Sequence, residues 1–155
     1  SRLAEAGLGM PRNAGFATID FERESLRDGL MRYRFSTDEP TFFSCLGVIM
    51  YLEEVAIEAM LESVAGFPGG SEIVLTYAPP PRDPSRSSPL ADRAASVGEP
   101  WVSYFDADTL GAKLRSFGFS KVEPLSPKEA EERYFRTHPG DLPVPKRTHI
   151  LAAVL

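Results

Sequence analysis

Two short segments place residues that could contact a ligand near the ends of predicted strands. Asp20 stands near the end of the apolar run 15–21, where a carboxylate can accept hydrogen bonds from a ligand or cap the helix that follows. Leu46 and Gly47 close a second apolar run, 41–48, and a glycine there either admits a ligand close to the backbone or turns the chain. The residues alone leave both alternatives open at both places.

Groups for nucleophilic, acid–base or metal chemistry are few. Cys45 lies within an apolar run without a histidine nearby in the sequence, which is typical of a small buried side chain rather than a nucleophile. His138 and His149 are too isolated to indicate a general base, and His149 begins an apolar strand in which a structural role is expected. One cysteine and two histidines cannot form a structural zinc site, so we predict no metal centre.

Aromatic residues follow the predicted strands and could form the wall of a pocket. Such side chains pack in cores as readily as they line binding sites, so both interpretations stay open. The residues concerned are Tyr51, Tyr77, Trp101, Tyr104 and Phe105.

The first half of the chain alternates strand and helix patterns. Short β-rich apolar runs predict strands over 15–21, 41–48 and 71–78, and amphipathic spacing predicts helices over 22–31 and 52–64. This alternation indicates a parallel α/β sheet with right-handed crossovers.

The second half begins with five prolines in residues 79–89, which predict a loop. Asp106 is a predicted helix N-cap, and a short strand is expected over 121–125. Ser126 and the proline after it predict a helix to residue 135, and an apolar strand is expected over 149–155.

Composition fits one ordinary globular domain. The 155 residues carry a net charge of -5, which argues against binding to nucleic acid or to an anionic membrane. The single cysteine and the lack of an apolar run of about 20 residues lead us to expect a soluble, cytoplasmic protein.

Three blocks, taken in order along the chain, resemble a known family. They are residues 20–26 (DFERESL), 42–52 (FFSCLGVIMYL) and 98–101 (GEPW), the last leading to Phe105 and Asp106. These blocks are similar to those of the class I S-adenosylmethionine-dependent methyltransferases related to leucine carboxyl methyltransferase.

The resemblance implies the C-terminal part of a Rossmann-like class I methyltransferase fold, with a mainly parallel sheet. It further implies that the last two strands form an antiparallel hairpin, the final one inserted beside strand 71–78. Residues 1–155 would be a single partial domain, with 79–100 as a proline-rich loop or lid. The glycine-rich cofactor loop of the family is absent, since no G-x-G-x-G occurs.

The resemblance also implies site residues for S-adenosyl-L-methionine. Asp20 and Phe21 are expected at the adenine, and Leu46 and Gly47 beside the methyl donor. The substrate pocket is expected to be lined by Tyr51, Tyr77, Trp101 and Tyr104.

The activity implied is methyl transfer to a carboxyl or hydroxyl oxygen of a small-molecule or carboxyl-bearing acceptor. The alternative is a non-catalytic α/β module acting in protein interaction or dimerisation, and the family blocks argue against a third class, an oxidoreductase fragment. An incomplete sheet would expose apolar surface on Phe16, Ile19, Phe42 and Leu46, so we expect self-association through the exposed sheet edge.

Overall fold

The computed structural model describes residues 5–81, 83, 88–136 and 149–155. Its sheet contains four strands: β1 (Phe42–Cys45), β2 (Glu72–Tyr77), β3 (Lys121–Leu125) and β4 (His149–Val154). The helices are α1 (Leu26–Arg32), α2 (Glu54–Ala65), α3 (Pro89–Ser96), α4 (Ala107–Ser116) and α5 (Pro127–Ala130). A 3₁₀ turn spans Ile49–Tyr51, and a π-helical turn, Glu131–Phe135, continues α5.

The strand order is β1-β2-β4-β3, with β1 parallel to β2 and β4 antiparallel to both of its neighbours. The predicted terminal hairpin is therefore confirmed, as is the insertion of the last strand beside residues 71–78. Register pairs Cys45 with Leu75 and Tyr77 with His149. The carboxyl ends of β1 and β2 consequently lie side by side.

One face of the sheet carries the core. Alternate residues of β2 and β4 point to that face because side chains in a strand alternate, and α2 and α4 supply the opposing apolar side chains. The fully buried members include Ile57, Leu61, Ile73, Leu75, Leu110, Leu114 and Leu151.

The strand predicted over 15–21 was wrong. The backbone N–H and C=O groups of a strand must pair with those of an adjacent strand, and in this segment they bond elsewhere. The Thr18 carbonyl accepts from the Arg32 side chain at 3.0 Å. The Asp20 carbonyl accepts from the Arg23 and Glu24 N–H groups. Ile19 instead packs over Gly29, where an added Cβ would lie 2.6 Å from Ile19 Cγ1.

The predicted helix 22–31 begins later, at Leu26, because the Ser25 side chain caps it. The prediction for 79–100 omitted α3, which Ser88 caps and Pro89 opens. Residues 82 and 84–87 of that segment lie outside the described residues, and the lid role stays a prediction.

The helix caps predicted from Asp106 and Ser126 are confirmed. Asp106 accepts from the Thr109 N–H at 2.8 Å, and Ser126 forms a capping box with Glu129. None of the described helices is long and apolar enough to cross a membrane.

Candidate functional site

An open cleft of about 400 Å³ lies at the carboxyl ends of β1 and β2. This volume is within the range of small-molecule sites, and open α/β sheets bind ligands at this edge. The lining residues are Leu46, Gly47, Met50, Tyr51, Thr76, Tyr77, Ala78, Leu90 and Trp101.

Gly47 is held at the rim by backbone conformation and by a hydrogen bond. Its φ of 69° is left-handed, which favours glycine, and its N–H donates to Thr76 Oγ1 at 2.7 Å. Thr76 is buried next to Tyr77 at the end of β2. This bond joins the ends of the two parallel strands and fixes the shape of the cleft between them.

The segment 101–105 contributes Trp101 to the lining of the cleft. The Val102 N–H donates to the Met50 carbonyl at 2.8 Å, and the Phe105 N–H donates to the Ala78 carbonyl at 2.9 Å. Ser103 is buried and its hydroxyl donates to the Leu52 carbonyl at 2.6 Å. These bonds anchor the segment 101–105 to the 49–52 turn and to the end of β2.

Tyr77 and His149 are cross-strand partners with ring centroids 5.4 Å apart. Burial, followed by the nearby carboxylates of Asp106 and Asp108, raises the pKa of Tyr77, so its hydroxyl stays protonated at neutral pH. Burial lowers the pKa of His149, which favours the neutral imidazole. The neutral forms of both side chains are therefore favoured at pH 7.

Cys45 lies just before the cleft, with its sulfur 3.9 Å from that of Met60. Burial raises the pKa of its thiol to about 11, so the thiolate is scarce near neutral pH. The structure thus gives no support for a nucleophilic cysteine. His138 lies outside the described residues. In the described part of the chain, no group of three His, Cys, Asp or Glu residues is placed to hold a metal ion.

The cleft brings together five of the residues expected from the sequence: Leu46, Gly47, Tyr51, Tyr77 and Trp101. Tyr104 is not part of the lining but packs beside Trp101, with ring centroids 6.3 Å apart. Phe105 is buried in the core.

Asp20 and Phe21 also lie outside this lining. The Asp20 carboxylate accepts from the Glu22 N–H at 3.1 Å and pairs with Arg23 at 3.3 Å, while Phe21 packs against the core. Asp20 thus orders the turn before α1. The adenine role of both residues stays a prediction.

Sequence reasoning missed four lining residues: Met50, Thr76, Ala78 and Leu90. Thr76 and Ala78 flank Tyr77, and Met50 precedes Tyr51. Because these three residues are adjacent in the sequence to expected lining residues, they could have been predicted as well. Leu90 belongs to α3, whose only local signal was the cap formed by Ser88 and Pro89.

Comparison with known proteins finds a family match over the first part of the chain. Residues 1–65 match the family model of leucine carboxyl methyltransferase. A search of curated protein sequences gave no match. The predicted resemblance is confirmed over the matched residues.

Solved structures share the fold. The S-adenosylmethionine-dependent methyltransferase SibL is 14% identical, with a TM-score of 0.53 over 99% of this chain and 38% of its own. Human N-acetylserotonin methyltransferase is 13% identical, with a TM-score of 0.53 over 97% of this chain and 36% of its own. A DUF574 family protein from Streptomyces avermitilis is 13% identical, with a TM-score of 0.53 over 79% and 47%. The chain spans less than half the length of these structures, and its fold is that of part of a class I methyltransferase.

Proposed function

We propose that this chain, which carries part of the class I methyltransferase fold and matches the leucine carboxyl methyltransferase family over residues 1–65, forms the acceptor side of an S-adenosylmethionine-dependent O-methyltransferase. The observation that carries the proposal is the cleft at the carboxyl ends of β1 and β2. It occupies the sheet edge at which this architecture binds ligands.

The cofactor proposed is S-adenosyl-L-methionine. Leu46 and Gly47 would contact its methionine part, because the left-handed glycine at the rim leaves the backbone open to close approach. Asp20 and Phe21 would hold the adenine. The structure of human N-acetylserotonin methyltransferase was solved with this cofactor, which supports the choice of ligand.

The proposed reaction transfers a methyl group to a carboxyl or hydroxyl oxygen of a small-molecule or carboxyl-bearing acceptor. The C–O bond forms as the bond from sulfur to the methyl carbon breaks, and its electron pair stays on sulfur to give S-adenosylhomocysteine. A hydroxyl acceptor releases its proton to solvent. Alignment supplies much of such a rate enhancement, so the residues of the cleft serve to orient the acceptor rather than to form a covalent intermediate.

Calorimetric titration of S-adenosylhomocysteine tests this function. It is carried out on the 155-residue chain and on a version extended upstream through a glycine-rich cofactor loop. We expect saturable binding to the extended version and weaker binding to the shorter chain. The reason is that the family's glycine-rich loop, which the shorter chain lacks, forms part of the cofactor site. Lack of binding by either, in samples shown to be folded, would remove the enzyme function.

A second candidate function, protein interaction or dimerisation, is favoured by the outer edge of β1, which pairs with no further strand among the described residues. Phe42 is 64% exposed there, and Phe16 and Leu46 are 70% and 56% exposed. Ile19 is more covered than expected because it packs over Gly29. An unpaired edge with exposed apolar side chains favours pairing with a second copy of the chain.

Sedimentation velocity tests this second function by measuring whether the chain dimerises. Phe42→Lys places a charge on the strand edge and should shift the chain toward monomer, whereas Val55→Lys changes an even more exposed residue of α2 and should not. A wild-type chain that stays monomeric at high concentration contradicts the dimer. The net charge of -5 supports the expectation that neither nucleic acid nor a membrane is a partner.

A further inference from the structure

The turn of residues 18–24 carries Asp20 and Phe21 and belongs to no strand of the described sheet. Without a ladder, its backbone depends on individual contacts for its order. Two of these contacts are apolar, since Ile19 packs over Gly29 of α1 and Phe21 packs against the core. The side chain of Asp20 stays 52% exposed, so its carboxylate is open to a ligand.

Arg32, the last residue of α1, bridges the two ends of this turn. Its Nη2 donates to the Thr18 carbonyl at 3.0 Å. Its guanidinium also donates twice to the Glu24 carboxylate, from Nη1 to Oε2 at 2.6 Å and from Nη2 to Oε1 at 3.0 Å. A two-pronged, charge-assisted pair of this kind has a defined geometry as well as strength. One side chain therefore holds the residues on either side of Asp20 and Phe21.

Glu24 connects this pair to Asp20. The Glu24 Oε1 accepts from the Asp20 N–H at 3.4 Å, and the Glu24 N–H donates to the Asp20 carbonyl at 3.0 Å. The hydrogen bond from Arg32 lowers the pKa of Glu24, and the same bond raises the pKa of Arg32, so both groups stay charged at neutral pH. Arg32 therefore acts on the backbone of Asp20 through Glu24.

We propose that Arg32 is a positioning residue for the adenine end of the cofactor site. By holding Thr18 and Glu24, it sets the direction in which the Asp20 carboxylate meets the exocyclic amine of the base. A carboxylate accepts from an amine and repels a carbonyl oxygen at the same place, so its position decides how well the site distinguishes the two. This inference rests on the proposed function and deepens it by naming a residue that governs the choice of base.

Arg27 provides a matched control on the same helix. Its guanidinium donates to the Gly66 carbonyl and to Thr37 Oγ1, both at 3.1 Å, and lies over the Phe67 ring at 5.7 Å from the centroid. All three partners lie outside the turn of residues 18–24. Arg27→Ala should therefore lower stability without changing the choice of base.

The test compares S-adenosylhomocysteine with S-inosylhomocysteine, in which a carbonyl oxygen replaces the amine of the base. Both are titrated calorimetrically into the version extended through the glycine-rich loop. We expect wild type to prefer the adenine ligand about tenfold or more. Arg32→Ala and Glu24→Ala should each reduce this preference about threefold or more, and Arg27→Ala should retain it. Because a general loss of stability affects both ligands alike, a merely structural role would leave the ratio of affinities unchanged.

Arg32→Lys keeps the positive charge but not the two-pronged geometry, so it should restore only part of the preference.

Hydrogen exchange of the 155-residue chain gives a second measurement that needs no ligand. The Arg23 and Glu24 N–H groups, which donate to the Asp20 carbonyl, should exchange faster in Arg32→Ala than in Arg27→Ala. Equal base preference in wild type and Arg32→Ala, or equal exchange in the two variants, would overturn the inference and leave the cofactor site standing. Lack of S-adenosylhomocysteine binding by a folded extended wild type would instead remove the proposed function and this role with it.

Discussion

The Gly47 N–H donates to Thr76 Oγ1 at 2.7 Å, linking the residues at the ends of the two parallel strands. Beyond Cys45 the backbone leaves the β1–β2 ladder, so a side chain takes the place of the next ladder acceptor. The chain can therefore turn away at Gly47 and open the cleft without leaving this N–H unpaired.

We expect Thr76→Val to lower the free energy of unfolding by about 1 kcal/mol, because it replaces the hydroxyl acceptor with a methyl group of similar size. Amide hydrogen exchange at Gly47 should become faster, since its protection depends on this bond. Thr76→Ser keeps the oxygen and should retain the protection. Unchanged exchange in the valine variant would show that the bond does not form in solution.

Gly47→Ala should cost about 1–2 kcal/mol of stability because an L-residue is strained at φ 69°. Gly98 has a φ of 86° and, like Gly47, has open space where a Cβ would be added, so Gly98→Ala is a matched control with similar strain. Chemical denaturation measures both losses. Only Gly47→Ala should also weaken binding of S-adenosylhomocysteine to the version extended through the glycine-rich loop, and an equal effect of the two on binding would contradict a role of Gly47 in the cleft.

Much of the fold was predictable because its signals are local. The caps of Asp106 and Ser126 lie within three residues of the N–H groups that they bind, so the sequence carries the whole interaction. The cleft residues at the ends of β1 and β2 were predictable for a related reason, since parallel strands place their carboxyl ends together.

Features that depend on distant partners were not predictable. The apolar run 15–21 has strand composition, but ladder formation needs a neighbour, and Arg32 takes the Thr18 carbonyl instead. The position of Trp101 beside the cleft depends on hydrogen bonds from residues 102–105 to the 49–52 turn and to Ala78, which no single segment specifies.

Lys113 of α4 bridges two carboxylates of α2, those of Glu54 and Glu58. Its own side chain is only 15% exposed, but both carboxylates are well exposed, so screening limits the contribution. Lys113→Met should therefore lower stability by about 0.5–1 kcal/mol at low salt and by less at high salt. Denaturation at two ionic strengths checks this, and a salt-independent loss would indicate packing alone.

The same cluster predicts a dependence on alkaline pH. Burial lowers the pKa of Lys113, but the hydrogen bonds and charges of Glu54 and Glu58 outweigh it and raise the pKa above its ordinary 10.5. A raised folded-state pKa stabilises the protein below the unfolded value, and this contribution is lost as pH rises through the folded value. The stability difference between wild type and Lys113→Met should stay constant to about pH 10 and shrink above it. A difference that instead grows at alkaline pH would contradict the assignment.

Cys45 should resist alkylation in the folded chain. Its pKa is raised from 9.0 to about 11, which lowers the thiolate fraction at pH 8 about a hundredfold relative to the unfolded chain. Iodoacetamide labelling followed by mass spectrometry should be slow in buffer, fast in urea, and should accelerate steadily up to pH 11. Rapid labelling of the folded chain at pH 8 would mean that the thiol is exposed and activated.

The most direct test of the central claim is to map where S-adenosylhomocysteine contacts the chain. Titration of the ¹⁵N-labelled version extended through the glycine-rich loop, followed through its backbone amide signals, should give saturable shifts at Leu46 and Gly47 with weaker ones at Tyr51. Gly47→Ala should reduce the affinity at least tenfold more than Gly98→Ala does. Shifts confined to other parts of the sheet, or none at millimolar ligand in a folded sample, would contradict a cofactor site at the ends of β1 and β2.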